Sequence, residues 1–185
     1  MVVEVSVILY NHNEEKTVVK MVNEIFNQTY KNIEIIVVDD ASTDETNLLK
    51  QLTENDDRIH VIKNRNKLGV SKSLNMAVEQ SHGKYILPVT QETDIDKDFV
   101  EKGLKILKND INSGIIYKET ESEDNNSKLN KDVETMDREG FFPYTMFRKQ
   151  DFVKAGGYTE YLSNGSENYD LWINIIENDC NAVGI

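Results

Sequence analysis

Two adjacent aspartates end a run of β-branched apolar residues near residue 40. The run over residues 33–38 predicts a buried strand, and Asp39 and Asp40 follow it directly. In an open α/β sheet, ligands bind beyond the carboxyl ends of the strands. Neighbouring carboxylates repel each other, so a ligand, a cation or a hydrogen-bond network must stabilise the pair. The sequence therefore predicts a ligand site at this edge.

Composition narrows the class of protein. A chain of 185 residues is long enough for one domain with a core that needs no disulfide. With Cys180 as its single cysteine the chain cannot form an internal disulfide, which favours a reducing compartment, the cytoplasm. The first residues do not resemble a signal peptide, and no apolar run approaches the ~20 residues of a membrane span. The net charge of -12 argues against a nucleic-acid partner. Peripheral membrane association stays open.

Strand and helix patterns alternate along the chain. Strands are predicted over residues 3–9, 33–38, 58–62, 85–89 and 114–117, over 141–147, and from 181 onward. Helices are predicted from residues 14 and 42 and over 70–81, 96–108, 151–155 and 167–177. Repeated strand–helix units of this length predict an α/β fold with a mostly parallel central sheet and helices on both faces.

A few local features carry their own predictions. Ser42 and Glu45 have the spacing of a capping box that opens a helix. Gly83 is expected to stop the helix over 70–81. Pro88 is unusual in a central strand because it lacks a ladder donor. Residues 119–139 carry eight acidic and three basic residues and almost no apolar ones, which predicts a polar insertion, mobile or ordered by a partner.

Five segments in order resemble the motif blocks of family 2 glycosyltransferases: residues 5–15, 33–44, 68–75, 155–158 and 167–172. The resemblance covers nearly the whole chain. It implies the GT-A nucleotide-sugar-binding fold as one domain over residues 1–185. Residues 1–117 would form the nucleotide-binding half, and residues 118–185 an acceptor-side half that we expect to be truncated at its C-terminus. It also implies inverting sugar transfer from a nucleotide sugar, usually with a divalent cation.

The resemblance assigns nucleotide contacts to five residues. Tyr10 and His12 line the nucleobase pocket, with His12 positioned to stack on the base. Asp40 aligns with a carboxylate that accepts a hydrogen bond from the ring N–H of uracil, which favours UDP over a cytosine nucleotide. Asp39 is expected to orient the loop or contact the ribose, and Lys72 to reach the ribose or the phosphates.

Plainer interpretations of the same residues stay open. Tyr10 and His12 can be ordinary loop residues, and Lys72 a solvated lysine on a helix face. The acid pair can belong to a charge cluster at a helix N-terminus together with Asp44 and Glu45.

The metal motif departs from the family pattern. Where the family has Asp-x-Asp, this chain has Thr90-Gln91-Glu92. Thr90 keeps the nucleotide-side position without a carboxylate, and Glu92 is left as the expected ligand of Mg²⁺ or Mn²⁺, cations that prefer oxygen ligands. A literal Asp-x-Asp at Asp94 and Asp96 falls where a helix is predicted to begin.

The base motif departs as well. The family pairs Glu with a catalytic Asp, and here the pair is Glu167-Asn168. An amide cannot take a proton from an acceptor hydroxyl at neutral pH, a step that contributes about 10²–10⁴-fold to rate. Glu167 or Asp170 is therefore the expected substitute.

Two functions follow from these residues. The first is a glycosyltransferase of hexosyltransferase type that transfers a sugar from a nucleotide diphosphate sugar, a UDP-sugar, to a saccharide or other acceptor hydroxyl with inversion. The alternative is a catalytically inactive domain of the same fold that binds a nucleotide sugar or a protein partner. A Rossmann dehydrogenase is excluded because residues 10–13 contain no glycine.

Overall fold

Seven described strands form one mostly parallel sheet. This computed structural model describes residues 2–43, 48–89, 94–119, 144–162, 166–178 and 180–185. The strands are β1 (Val5–Asn11), β2 (Ile33–Asp39), β3 (Ile59–Lys63), β4 (Tyr85–Val89), β5 (Ser113–Tyr117), β6 (Thr145–Arg148) and β7 (Asn181–Gly184). Their order is β3-β2-β1-β4-β6-β5-β7, and only β6 runs antiparallel to its described neighbours. The predicted mostly parallel sheet is confirmed.

Helices cover both faces of the sheet, as predicted. They are α1 (Glu15–Phe26), α2 (Leu48–Asn55), α3 (Val70–Gln80), α4 (Phe99–Asn109), α5 (Lys149–Lys154) and α6 (Ser166–Glu177). Helices α1, α2 and α4 share one apolar cluster with the sheet, while α3, α5 and α6 share the other. The two clusters follow from strand geometry, because successive side chains point to opposite faces. In β1, Val7 and Leu9 join the first cluster and Ile8 joins the second.

Strand β2 is buried along its whole length, with seven buried residues from Ile33 to Asp39. A strand covered on both faces needs a continuous apolar run, and this is the pattern that predicted it. Residues of β1 and β2 pair in parallel register, so Asn11 lies opposite Asp39. The carboxyl ends of both strands therefore meet at one edge, as expected.

Gly83 does not stop helix α3, and that prediction is wrong. The helix ends at Gln80, and Ser81 follows in an extended conformation. A Cβ on Gly83 would lie 2.5 Å from the backbone nitrogen of Ser6. The glycine is therefore required by the close approach of the segment before β4 to β1.

Other boundaries shift by a few residues. Helix α4 begins at Phe99 rather than at residue 96, because the Asp96 carbonyl accepts from the Phe99 N–H in a turn that precedes the helix. The strand predicted over 141–147 is described as Thr145–Arg148, and residues 141–143 lie outside the described residues. Most of the polar insertion, residues 120–139, also lies outside them. Pro88 lies beyond Tyr85 and Ile86, the two residues of β4 that pair with β6.

Candidate functional site

The turn after β2 is held to the end of β1 by side chains. Asn11 Nδ2 donates to Asp39 Oδ1 at 3.2 Å and to Ser42 Oγ at 3.0 Å. Asp39 Oδ1 also accepts from the Ser42 N–H at 3.2 Å. Lys63 Nζ lies 4.0 Å from the second oxygen, Asp39 Oδ2. The buried carboxylate of Asp39 thus orients the turn.

Two residues near this edge adopt the left-handed conformation that side chains other than glycine rarely take. They are Asn13, with φ of 63°, and Ala41, with φ of 58°. Ser42 Oγ accepts from the Asn13 N–H at 2.9 Å, and Asn13 Oδ1 accepts from the Thr43 N–H at 2.6 Å. These contacts lock the two turns together. The hydroxyl of Ser42 is used in this lock, while its predicted capping partner Glu45 lies outside the described residues.

Asp40 is fully buried, at 0% exposure, and its carboxylate accepts four hydrogen bonds. Oδ1 accepts from Asn64 Nδ2 at 2.8 Å and from the Leu68 N–H at 2.7 Å. Oδ2 accepts from Tyr10 Oη at 2.9 Å and from the Gly69 N–H at 2.9 Å. A carboxylate has about four lone-pair sites, so protein donors fill all of them.

These donors decide the charge of Asp40. Burial by itself raises the pKa of the carboxyl, but the hydrogen bonds from Leu68, Asn64, Gly69 and Tyr10 outweigh it and hold the pKa below its ordinary value. Asp40 is therefore ionised at neutral pH. The repulsion expected between Asp39 and Asp40 is offset by a hydrogen-bond network, one of the three solutions that the sequence allowed.

Tyr10 and His12 both form hydrogen bonds with Asp40. Burial raises the pKa of the Tyr10 phenol, and its bond to the Asp40 carboxylate raises it further. The phenol is therefore neutral, and its hydrogen lies toward Asp40. His12 Nδ1 lies 2.8 Å from the Asp40 backbone carbonyl oxygen. A carbonyl oxygen only accepts, so Nδ1 carries the proton, and in the neutral ring Nε2 is an acceptor.

A cavity of about 550 Å³ opens above this network. Its volume is in the range of small-molecule sites, about 300–1,000 Å³. Three parts of the chain surround it: the end of β1, the start of α3, and the segment that leads into α6. The lining residues are Tyr10, His12, Glu14, Lys67, Gly69, Val70, Ser71, Glu160, Tyr161, Leu162 and Glu167.

The structure brings three of the predicted site residues into this cavity: Tyr10, His12 and Glu167. Asp39 and Asp40 are buried and do not line it, but Asp40 is bonded to two residues that do, Tyr10 and Gly69. Lys72 Nζ lies 3.8 Å from Glu160 Oε2, with both side chains about half exposed. Thr90 and Glu92 lie outside the described residues.

Lys67, which was not predicted as a site residue, also lines the cavity and is a cation among three lining carboxylates. The available signal was its place just before Gly69. That glycine has φ of 89° and lies in the turn from which the backbone N–H groups of residues 68 and 69 donate to the Asp40 carboxylate.

The two candidate bases differ in their surroundings. Glu167, in the first turn of α6, is 6% exposed and lines the cavity. Asp170 instead accepts from Thr159 Oγ1 at 2.6 Å and from Asn174 Nδ2 at 3.3 Å. Asp170 thus ties α6 to the segment before it, while Glu167 faces the space where a ligand would lie.

The side chain of Asn75 connects α3 to the far wall of the cavity. Its Oδ1 accepts from the Tyr158 N–H at 2.8 Å, and its Nδ2 donates to the Tyr158 carbonyl at 2.9 Å. Gly157 permits this approach, since it has φ of 75° and a Cβ there would lie 2.9 Å from Asn75 Oδ1. The Asn75 amide therefore helps to fix the segment that carries residues 160–162, together with the bond from Ser71 Oγ to the Leu162 carbonyl at 3.4 Å.

Within the described ranges, no group of three or more His, Cys, Asp or Glu side chains is arranged to hold a metal ion. The literal Asp-x-Asp does not form such a group. The Asp96 carboxylate pairs with Lys118, and Asp94 is exposed. The expected ligand Glu92 lies outside the described residues, so its role stays a prediction.

Solved structures share this fold. A mannosyltransferase from Pyrobaculum calidifontis, in complex with GDP-Man and Mn²⁺, superposes with a TM-score of 0.79 at 17% identity over 98% of this chain and 54% of that chain. S. aureus TarS in complex with UDP-GlcNAc gives 0.77 at 18% identity over 98% and 56%. The fold is that of GT-A glycosyltransferases.

The profile described as Glycosyl transferase family 2 matches residues 6–163, and the chain belongs to this family. An uncharacterized glycosyltransferase of Haemophilus influenzae is 38% identical over 108 residues, 57% of this chain and 33% of that protein. Glycosyltransferase GlyA of Streptococcus pneumoniae is 36% identical over 124 residues, 65% of this chain and 18% of that protein. The chain thus spans a third or less of the length of these two relatives. Within the described part of the chain, no helix has the length and apolar character needed to cross a membrane.

Proposed function

We propose that this chain binds a nucleotide diphosphate sugar and transfers its sugar to an acceptor hydroxyl with inversion. The observation that supports this most is the cavity itself. It places Tyr10 and His12, the predicted base-contacting residues, in the same space as Glu167, the predicted proton acceptor. Family membership supports the reaction class.

We propose a UDP-sugar of a hexose as the donor. Two structural neighbours carry UDP-GlcNAc and GDP-Man, and both bases have a ring N–H that an acceptor can recognise. The end of the cavity near Tyr10 and His12 offers acceptors. Lys67 supplies positive charge in the same cavity for a phosphate, and Lys72, 3.8 Å from Glu160, is the second candidate for that contact.

The proposed reaction is a single displacement. The acceptor oxygen attacks the anomeric carbon from the face opposite the diphosphate, and its proton passes to the Glu167 carboxylate. The bond between that carbon and the diphosphate oxygen breaks, and its electron pair leaves with the nucleoside diphosphate. Glu167 is suited to this because it is nearly buried and yet faces the cavity, where a general base must lie within hydrogen-bond reach of the hydroxyl.

We propose that Glu92 would hold Mg²⁺ or Mn²⁺ and that Thr90, in the same motif, would contact the nucleotide. Such a cation, when bound, neutralises charge on the leaving diphosphate. The mannosyltransferase neighbour binds Mn²⁺ in its structure.

We propose that residues 1–117 bind the nucleotide and that residues 118–185 face the acceptor, a saccharide or another hydroxyl compound. Tyr161 supports the acceptor assignment, because this residue is 89% exposed and lines the cavity. An exposed aromatic face offers apolar area to the C–H face of a sugar ring.

Donor binding and turnover are tested separately. Titration of UDP and a panel of UDP-sugars, with and without Mn²⁺, measures binding, and hydrolysis of the same panel measures turnover with water as acceptor. We expect Glu167→Gln to lower turnover by about 10²–10⁴-fold and to change the donor Kd by less than about twofold, because the amide keeps the shape and loses only the base. Glu177→Gln, at an exposed position of the same helix, is the control.

A different result would assign the role of general base to Asp170. If Asp170→Asn abolishes turnover while Glu167→Gln does not, the assignment of Glu167 is wrong. If no nucleotide or nucleotide sugar binds at millimolar concentration, the proposed donor site is wrong altogether.

The second candidate function is a catalytically inactive domain that binds a nucleotide sugar or a protein partner. Asn168 favours it, because this amide stands where the family places its base, and Asp170 is already bonded to Thr159 and Asn174. Donor binding without hydrolysis of any sugar in the panel, and without a difference between wild type and Glu167→Gln, would support this candidate.

A further inference from the structure

The Asp40 carboxylate is closed to a ligand by its own protein donors. Its side chain is fully buried, and four donors at 2.7–2.9 Å occupy its lone pairs. A base N–H could bond to Asp40 only by replacing one of them. Because a displaced buried donor loses its partner, replacement has a cost that direct binding elsewhere in the cavity avoids.

Tyr10 differs from the other donors to Asp40. The donors at residues 68 and 69 are backbone N–H groups, and Asn64 Nδ2 is also 3.0 Å from Ser73 Oγ. Among the described residues, Tyr10 supplies the one donor side chain that also lines the cavity. Tyr10 is therefore the side chain that contacts both the buried Asp40 carboxylate and the space where a ligand would lie.

The direction of the Tyr10 hydrogen bond decides whether Tyr10 Oη presents its hydrogen or its lone pairs to the cavity. A carboxylate only accepts, so the single phenolic hydrogen lies on the line to Asp40 Oδ2. Tyr10 Oη then offers lone pairs to the cavity. Hydrogen bonds in a chain polarise one another, so donation to a negative carboxylate makes this oxygen a better acceptor.

We infer that Tyr10 Oη, and not Asp40, accepts the hydrogen bond from the ring N–H of the donor nucleotide's base. This inference rests on the proposed function and names the residue that selects the base. Uracil and guanine carry a ring N–H and satisfy Tyr10. Cytosine presents a ring nitrogen lone pair at the corresponding edge, and this lone pair would face the lone pairs of Oη.

An alternative is that Tyr10 only covers Asp40 and moves aside when a base binds. The two possibilities predict opposite effects of removing the hydroxyl. If Tyr10 is the acceptor, its loss weakens the binding of a base with an N–H. If Tyr10 is a cover, its loss opens Asp40 and strengthens that binding.

The experiment compares three nucleotides, UDP, N3-methyl-UDP and CDP, by calorimetry on wild type and Tyr10→Phe. We expect wild type to bind UDP about tenfold more tightly than the other two, the worth of one hydrogen bond to a polarised group. Tyr10→Phe should bind all three within about twofold of one another, at the weaker level.

Tyr30→Phe is the matched control. Tyr30 also donates its hydroxyl to a carboxylate, that of Glu4, at a place outside the cavity lining. It should keep the wild-type preference for UDP. A melting curve of each variant confirms that it is folded at the assay temperature.

Three results would overturn the inference and leave the proposed function standing. One is tighter binding of UDP by Tyr10→Phe with the preference kept, which would assign the role to Asp40. Another is an unchanged preference in Tyr10→Phe. The third needs no variant: wild type that binds UDP and N3-methyl-UDP equally has no N–H recognition. If wild type binds none of the three nucleotides, the proposed function fails, and the inference fails with it.

Discussion

At the residue scale, the two adjacent aspartates have different tasks. Asp39 holds the turn after β2 through Asn11 and Ser42, and Asp40 accepts hydrogen bonds from the loop between β3 and α3. In the turn that follows Asp40, Ala41 adopts φ of 58°. A left-handed conformation costs an L-residue with a Cβ roughly 1–2 kcal/mol. The site therefore contains a small amount of backbone strain that one substitution can release.

We expect Ala41→Gly to stabilise the protein. The change removes the Cβ strain but adds conformational entropy to the unfolded chain, about 0.5–1 kcal/mol, so the net gain is at most about 1.5 kcal/mol. Denaturant unfolding measures it. Ala77→Gly is the control, since Ala77 lies inside α3, where the same change costs about 1 kcal/mol. Equal destabilisation by both changes would show that Ala41 is not strained.

At the scale of elements, the cavity is assembled from parts that are far apart in the chain. Helix α3 supplies the near wall, and residues 160–162 supply the far wall. The Asn75 side chain joins these walls through both hydrogen-bonding groups of the Tyr158 backbone. An amide is suited to this because it has a donor and an acceptor on one rigid plane.

We expect Asn75→Asp to destabilise the protein and to weaken donor binding. The carboxylate keeps the acceptor for the Tyr158 N–H but faces the Tyr158 carbonyl with an oxygen, leaving that carbonyl without its donor. The cost is about 1–3 kcal/mol, the range for a buried group that loses its partner. Thermal unfolding and UDP titration measure the two effects.

Asn109→Asp makes the same change at an exposed hydrogen bond, from Asn109 Nδ2 to the Lys105 carbonyl. Its effect on stability should be much smaller, because water can replace the lost donor. If the two variants are equally stable and bind UDP equally well, Asn75 does not couple the walls.

At the scale of the whole molecule, stability depends on a buried carboxylate at the opposite end of the sheet. Although burial raises the pKa of Glu34, hydrogen bonds from Ser6 Oγ and from the His82 N–H and Nδ1 hold it below its ordinary value. Glu34 thus joins β1, β2 and the segment before β4 through one charged side chain.

The sign of the pH effect follows from this lowered pKa. A carboxyl with a lowered pKa in the folded state stabilises the protein fully above its unfolded pKa, about 4.3 for Glu, and loses that stabilisation as the pH falls through the folded value. Asp40 acts in the same direction. We therefore expect the free energy of unfolding to fall steeply below about pH 4.3.

Glu34→Gln isolates the contribution of Glu34. The variant should be less stable than wild type at pH 7, and the difference should shrink as the pH falls toward 3, because protonated Glu34 resembles the amide. Denaturant unfolding at each pH measures the difference. A difference that stays constant over this range would contradict the assignment.

Much of this fold could be predicted from local patterns. The apolar runs of β1, β2 and β4 and the helical spacing of α1 and α3 follow from side-chain period alone, and so do the mostly parallel sheet and its two covered faces. The antiparallel position of β6 between β4 and β5 could not be predicted, because the sequence of a four-residue strand does not indicate which strands it pairs with. Gly83 was misassigned for a related reason: its role depends on Ser6, far away along the chain.

The site divides in the same way. Tyr10, His12 and Glu167 were predicted and lie in one cavity, whereas Lys67 and Asn75 were missed. A lysine in a polar loop and an asparagine in a helix are common. Their importance arises from contacts with the cavity and with Tyr158, and no local pattern contains those contacts.

The sequence by itself determined that two carboxylates end a buried strand at the ligand-facing edge of a sheet, because a β-branched run followed by acids is a local property. Only the tertiary structure decided what Asp40 can do there. Its four donors lie 24 to 30 residues away along the chain and come from two separate parts of it, the end of β1 and the loop between β3 and α3. Burial and hydrogen bonding depend on neighbours in space, so the fold closes Asp40 to the cavity and leaves Tyr10 as its outward contact.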